Sequence, residues 1–245
     1  MTFNDRTAVI TGAAGKIGRK TALEFSRYGV KLYLTDIDME RLNALVEELR
    51  KINPEVYAVE MDVSSLESIE KASQTIFQQA GKVDILINNA GAWPRGTALE
   101  SSDEDWLNIV NLNLYSVFRL SKIFGLRMKE QNYGRIINLA SIAGLVGLPE
   151  RSAYSVSKAG VLMLTKTMAM ELAKCNVTVN SVSPGMISDE QKATDGTWLG
   201  HSGTGSDVAH AIVFLAADES GYITGTDIPV DGGRILGPLT TGLKR

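Results

Sequence analysis

Arg6-Thr7-Ala8-Val9-Ile10-Thr11 runs without a break into Gly12-Ala13-Ala14-Gly15-Lys16-Ile17-Gly18. The first six residues end in β-branched side chains and read as a buried strand. Beyond the glycines, Arg19 to Tyr28 lets Ala22, Leu23 and Phe25 form an apolar helix face. Strand, glycine-rich turn and helix is the context that a dinucleotide-binding fingerprint requires. Glycine lets the backbone turn tightly and approach a pyrophosphate, while the helix N-terminus offers free N–H groups and a partial positive charge. Gly12, Gly15, Lys16, Ile17 and Gly18 are therefore candidate cofactor contacts.

The same alternation continues. Lys31 to Thr35 is a second strand, ending at Asp36, with Ile37 beside it. An acid at that point can accept both hydroxyls of an adenosine ribose and repels the 2′-phosphate of NADP, so the expected cofactor is NAD, with NADP less favoured. A helix over Met39 to Lys51 ends at Asn53-Pro54, followed by a strand over Val56 to Glu60 and a helix over Leu66 to Gln79. Lys82 to Ile87 is a strand running into Asn88-Asn89-Ala90-Gly91. One long helix is expected over Asp103 to Met128, capped by Ser and Asp residues. Arg135 to Leu139 is a strand delivering Ser141, and Ser152 to Ala173 a helix. Val177 to Val182, Val208 to Ala217 and Asp227 to Val230 complete the series as strand, helix and short strand. This order predicts an α/β fold: a single Rossmann-type, doubly wound parallel sheet with helices on both faces, in one domain over residues 1–245.

The chemistry concentrates in Tyr154-Ser155-Val156-Ser157-Lys158 and in Ser141 upstream. Tyr154 and Lys158, four apart, share a helix face. A phenol titrates near ~10 and is a poor base at neutral pH. An ammonium about 4 Å away, at an effective dielectric near ~20, favours phenolate by roughly 4 kcal/mol, at most about three pKa units. The expectation is a Tyr154 phenol drawn towards physiological pH by Lys158.

Together these features resemble the short-chain dehydrogenase/reductase (SDR) family over nearly the whole chain. The resemblance includes Thr11-Gly12, Asp62-Val63 after the third strand, Asn88-Asn89-Ala90-Gly91, and Pro184-Gly185 after the sixth. It extends to Tyr222-Ile223-Thr224-Gly225 before Val230-Asp231-Gly232-Gly233. It implies that Asn113, Ser141, Tyr154 and Lys158 are the four catalytic residues. Tyr154 would exchange the proton, Lys158 would tune it and bond the nicotinamide ribose, and Ser141 would donate to the substrate oxygen. Asn113 would hold a water linking Lys158 to solvent. The resemblance places further cofactor contacts at Asp62, Val63, Asn89, Ala90, Gly91, Pro184, Gly185, Ile187 and Ser188, besides Tyr154 and Lys158. Ser188 stands where the family often has Thr, and its hydroxyl would bond the carboxamide or pyrophosphate.

Two departures stand out. Lys16 occupies the place of the family's middle glycine, either pointing to solvent or reaching a cofactor phosphate, which would soften the bias against NADP. The stretch from Gly185 to Asp207, where the family carries its substrate lid, is short, implying a more open pocket or one completed by a neighbouring subunit. Trp93, Leu145, Glu150, Arg151, Met186 and Trp198 fall on loops that the family places around the substrate, with Trp93, Ser141, Arg151 and Trp198 as candidate contacts. Arg151 alone among them points to an anionic substrate.

The implied function is hydride transfer between NAD(H) and a secondary alcohol or ketone. One alternative is an NADPH-dependent 3-oxoacyl-thioester (acyl carrier protein) reductase, against which Asp36 and the want of a basic patch count. Another is a non-catalytic nucleotide-binding regulator, a role that family members usually reach by losing the Tyr, Lys or Ser. A homotetramer is implied, through the two long helices and the segment Arg234-Ile235-Leu236-Gly237-Pro238-Leu239.

Composition narrows the remaining classes. With 44% hydrophobic and 22% charged residues the chain can bury a full core. The net charge of −3 without a Lys/Arg block predicts no nucleic-acid or membrane partner. The first residues lack the apolar run of a signal peptide, and the one cysteine, Cys175, fits a reducing cytoplasm and a packing role. His201 and His210 have no partners at ligand spacing, so no metal site is expected.

Overall fold

Aliphatic and β-branched runs with no polar face become strands, and the amphipathic stretches between them become helices that cover both sides. The computed structural model describes residues 1–237. In chain order the elements are β1 (Thr7–Thr11), α1 (Lys16–Arg27), β2 (Lys31–Asp36), α2 (Met39–Arg50), β3 (Val56–Glu60), α3 (Leu66–Ala80) and β4 (Ile85–Asn88). There follow α4 (Asp103–Val110), α5 (Ser116–Glu130), β5 (Gly134–Leu139), α6 (Ser152–Leu172) and β6 (Val177–Pro184). The last are β7 (Ile187–Ser188), β8 (Gly203–Thr204), α7 (Gly205–Ala216) and β9 (Asp227–Val230).

Seven of these strands form one sheet in the order β3-β2-β1-β4-β5-β6-β9, every pairing parallel. Successive residues of a strand point to opposite faces, and here each face has its own core. Ala8, Ile10, Leu32, Leu34, Ile85 and Ile87 pack with Ala22, Phe25, Leu42 and Ile212 on one side. Val9, Tyr33, Leu86, Ile136 and Val179 pack with Ile69, Ile76, Phe124 and Met168 on the other. A sheet buried on both faces explains why its strands show no polar alternation. The order reverses at β1, which pairs with β2 on one side and β4 on the other. A crevice outside the carboxyl ends of those strands is where open α/β sheets bind ligands.

Three features differ from the sequence reading. The single helix expected over Asp103 to Met128 is broken: α4 and α5 are separated by a π-helical turn at Asn111–Tyr115. Such turns insert one extra residue into the hydrogen-bond ladder and occur at functional sites. Ser102 does cap the start, accepting from the Asp105 N–H at 3.1 Å. Secondly, the short segment after Gly185 is an ordered loop closed by parallel pairing of β7 with β8, and α7 begins at Gly205 through a Thr204–Asp207 capping box. Thirdly, α6, whose apolar residues fall on more than one side, leaves Val156, Met163 and Met170 exposed. Cys175 is half-buried against the second core. Pro238 and Leu239 of the expected C-terminal contact lie outside the described residues. Among the described residues no helix is long and apolar enough to cross a membrane, and no group of three or more His, Cys, Asp or Glu side chains is placed to hold a metal ion.

Candidate active site

The carboxyl ends of β1 and β4 are tied together at the reversal point. The Thr11 hydroxyl accepts from the N–H groups of Asn89 and Ala90, both at 3.0 Å, and the Asn89 amide donates to the Thr11 and Gly12 carbonyls at 2.8 Å. Gly12 has φ +60°, and a Cβ there would fall 2.8 Å from Ala90 Cα. A Cβ on Gly18 would fall 2.8 Å from Ala13 Cα and also strike the Gly12 carbonyl. The turn thus forms a cradle that side chains would fill. No side chain caps the N-terminus of α1, and Gly15 precedes it, leaving its first N–H groups for an anion. These residues fit a dinucleotide pyrophosphate.

Asp36 ends β2 with both carboxylate oxygens engaged, one accepting the Ala14 N–H at 2.9 Å and the other the Asp38 N–H at 3.1 Å. Arg41, which the sequence reading passed over, donates to the Ala14 carbonyl at 3.0 Å. Nothing in its spacing marked it. Ile37 is exposed and Val63 buried, while the Asp62 carboxylate accepts from the Ser64 N–H and hydroxyl at 2.9 and 2.7 Å. Lys16 lies at the surface. Its ammonium lies 3.0 Å from Asp189, linking the glycine-rich turn to the lid, with both side chains more than half exposed.

Deeper in the crevice, Lys158 is fully buried and donates to the Leu139 carbonyl at 2.6 Å. Desolvation lowers its pKa to about 8. Tyr154 corrects the sequence expectation. Burial raises its pKa above the ordinary phenol value; the Ser141 hydrogen bond and the charge of Arg151 pull the other way without reversing it. Lys158 Nζ is 5.9 Å from the centre of the Tyr154 ring. The cost of enclosing the phenol outweighs the charges around it. Ser141 is buried and caps a short turn at Ile142–Gly144, its oxygen accepting from the Ala143 N–H at 3.1 Å. Asn113 sits in the π-helical turn, where its side chain makes reciprocal bonds with Ala92: it donates to the carbonyl at 2.8 Å and accepts the N–H at 3.0 Å. A Cβ on Gly91 would fall 2.6 Å from Asn113 Oδ1 and 3.7 Å from Lys158 Nζ, which places Asn113, Gly91 and Lys158 together.

Around the mouth, Arg151 donates to the Trp93 carbonyl at 2.6 Å, and Glu150 accepts the Gly96 N–H at 2.9 Å through its carbonyl. Pro184 ends β6, and a Cβ on Gly185 would meet Asp231 at 2.7 Å. Ile187 packs on the first core. The Ser188 hydroxyl is spent within the lid, on the Glu190 carbonyl at 2.7 Å and on Ser202. Trp198 lines a different cavity of about 510 Å³ with Leu199, His201, Val230, Gly233 and Leu236, which Tyr154 and Lys158 do not line.

Comparison with known proteins defines the family. The family model described as enoyl-(acyl carrier protein) reductase matches residues 12–234. The chain belongs to the short-chain dehydrogenase/reductase family of oxidoreductases. It is 35% identical to the 3-oxoacyl-(acyl-carrier-protein) reductase FabG of Thermotoga maritima, covering 96% of this chain and 100% of the relative. It is also 35% identical to BbsD, a subunit of a (hydroxy(phenyl)methyl)succinyl-CoA dehydrogenase of Thauera aromatica, over 96% and 99%. The structure of acetoin dehydrogenase from Enterobacter cloacae superposes with a TM-score of 0.91 at 31% identity, covering 98% of each chain. An enzyme of the CH–OH/C=O class, using NAD(P), follows from membership.

Proposed function

We propose that this chain catalyses reversible hydride transfer between NAD(H) and a secondary alcohol or ketone. The observation that carries the proposal is the buried Lys158, bonded to the Leu139 carbonyl at 2.6 Å with its ammonium 5.9 Å from the centre of the Tyr154 ring, at the carboxyl end of β5 where Ser141 stands. Gly12, Gly15, Ile17 and Gly18 would hold the pyrophosphate, Asp36 the adenosine ribose, and Asn89, Ala90 and Gly91 the middle of the cofactor. Pro184, Gly185 and Ile187 would flank the nicotinamide end, and Lys158 would bond its ribose. When bound, the dinucleotide supplies or accepts the hydride.

The protein supplies position and protons. The Tyr154 O–H gives its proton to the carbonyl oxygen in reduction and takes it back in oxidation. Ser141 donates to the same oxygen, where negative charge develops. Burial keeps the Tyr154 phenol protonated at rest, the form that reduction needs. NAD is preferred on the strength of Asp36, whose carboxylate would repel a 2′-phosphate.

A second reading, reduction of a 3-oxoacyl thioester with NADPH, is supported by the several relatives named 3-oxoacyl-(acyl-carrier-protein) reductase. It uses the same proton chemistry and differs in cofactor and in what the mouth recognises. A homotetramer is proposed through the exposed apolar side chains of α4 to α6, among them Leu107, Phe118, Leu126, Met163 and Met170, and the cytoplasm as its compartment. The test is a coupled assay of hydroxy acids, polyols and cyclic alcohols with NAD and NADP, run beside an acetoacetyl thioester with NADH and NADPH. Turnover of a simple alcohol or hydroxy acid with NAD above all NADP(H) reactions is the expected result. Thioester reduction with NADPH well above the rest overturns it in favour of the second reading.

A further inference from the structure

We infer that Arg151 reads an anion in this site and that the substrate carries a carboxylate within a few bonds of the carbon that exchanges hydride. This rests on the hydride-transfer reading above and names the substrate class for it.

Arg151 is the N-cap residue of α6, three before Tyr154. Residues three apart are neighbours on a helix surface, roughly 5–6 Å between Cβ atoms. The side chain is anchored rather than free: one guanidinium nitrogen donates to the Trp93 carbonyl at 2.6 Å. The backbone beneath it is braced as well, by the Gly96–Arg151 bridge and by the Gly96 N–H on the Glu150 carbonyl at 2.9 Å. Glu150 itself is held at φ +58°, an uncommon conformation for a residue with a side chain. A loop stitched in this way fixes where the guanidinium stands.

Its charge is left unmatched. Among the described residues Arg151 has no carboxylate within 4.0 Å, whereas Arg95, on the loop that carries Trp93, is paired with Glu150 at 3.4 Å. The guanidinium carries five N–H donors in a planar fork. With one nitrogen on Trp93, others remain to take a carboxylate. The field of Arg151 also reaches the Tyr154 phenol, opposing the effect of burial there, so an anion bound to it lies close to the reacting oxygen. A hydroxy or oxo acid puts its charge at that distance. The phosphates of a thioester carrier lie many bonds from its carbonyl and would not reach Arg151, which separates this inference from the second reading.

The experiment compares 2-hydroxybutanoate, 3-hydroxybutanoate and 4-hydroxypentanoate, each with its own amide, as substrates of the wild type, Arg151→Met and Arg151→Lys, with NAD and NADP. In the wild type at least one acid should exceed its amide by about 10–100-fold in kcat/KM, expressed mainly in KM, the range expected of a charge-assisted hydrogen bond. Arg151→Met should abolish that preference, and Arg151→Lys should keep part of it. NADH fluorescence titration checks that each variant folds; if Arg151→Met does not, the wild-type ratio and Arg151→Lys still decide. Equal rates for acid and amide in the wild type, or a preference surviving in Arg151→Met, overturn the inference and leave the hydride-transfer reading standing. No turnover of any acid or amide, while a polyol or cyclic alcohol is oxidised, likewise overturns the inference alone; no turnover of those alcohols either, while NADH binds, overturns that reading itself.

Discussion

Lys158 and Leu139 are joined by a 2.6 Å hydrogen bond from ammonium to carbonyl, which fastens the middle of the Tyr154 helix to the last residue of β5. Two residues further on stands Ser141, close enough to Tyr154 for its hydroxyl to lower the phenol's pKa against the effect of burial. The three side chains therefore sit on a strand end and a helix that are fastened to each other. Below it, Asn138 on the same strand accepts from Asn88 at 2.8 Å and donates to Thr165 of α6 at 2.9 Å. Strand and helix cannot slide past one another without breaking several buried bonds, so the distance between hydroxyl, phenol and amine is set before any ligand arrives.

The buried amine carries a pH signature. Carbonyl reduction needs Tyr154 protonated, which burial favours, and Lys158 charged. As pH rises through about 8, Lys158 loses its proton. The rate of reduction should be flat below that value and fall above it, as read from kcat against pH at saturating substrate. A profile that stays flat to pH 10 would show that the Lys158 charge takes no part.

The same shift affects stability with a definite sign. Lys158 titrates near 8 in the fold and near its ordinary 10.5 when unfolded. Between those values the unfolded chain binds more protons, so the contribution of this group to stability rises with pH across that window and is unfavourable below it. At neutral pH the cost is roughly 3 kcal/mol. Lys158→Met should therefore be inactive yet melt several degrees higher than wild type at pH 7, the gap closing towards pH 10. Thermal melts at both pH values check it.

Tyr154→Phe removes only the hydroxyl. Its loss should lower kcat by a factor of about 10²–10⁴, the range for a positioned acid–base group, while NADH binds within a few-fold of wild type. Single-turnover kinetics and a fluorescence titration separate the two effects. Turnover near wild type would remove Tyr154 from the reaction.

What the sequence showed and what it hid follow from the range of the interactions. β3 and β9, the two edge strands, begin and end where the residue pattern placed them, because each is marked by its own short run of residues between turn-forming neighbours. The break in the helix at Asn113 was not visible: it accompanies bonds between Asn113 and Ala92, which lie on different elements. Lys16 was left between solvent and phosphate because its actual partner, Asp189, lies far along the chain. The phenol of Tyr154 was misjudged for a related reason. Spacing reveals a nearby lysine, but burial is the work of all the segments that close over a site. Trp198 shows the converse, since a loop assigned by analogy to the substrate lines a cavity beside Gly233 and Leu236.

Asp36 offers a test of cofactor choice. Asp36→Ser removes the charge that would face a 2′-phosphate and should raise the kcat/KM ratio of NADP over NAD by about 10–100-fold, in line with a charge-assisted contact. Measuring both dinucleotides with one substrate yields the ratio, and an unchanged ratio would mean that the carboxylate does not face the ribose.

Two glycines separate steric need from conformational freedom. A Cβ on Gly18 would stand 2.8 Å from Ala13 Cα and 2.9 Å from the Asn89 amide, besides striking the Gly12 carbonyl. Those atoms belong to the turn and to the residue that ties β1 to β4, so they cannot yield without opening the cradle. Gly18→Ala should cost about 1–3 kcal/mol of stability and weaken NADH binding by an order of magnitude or more. Gly29 has φ +67°, but a methyl group there would meet nothing within 4 Å. Gly29→Ala should cost only the left-handed backbone penalty, about 1–2 kcal/mol, and leave NADH affinity as it was. Denaturant melts and NADH titrations on the two variants separate the effects. Equal loss of affinity in both would mean that the turn responds to general destabilisation rather than to the filling of its cradle.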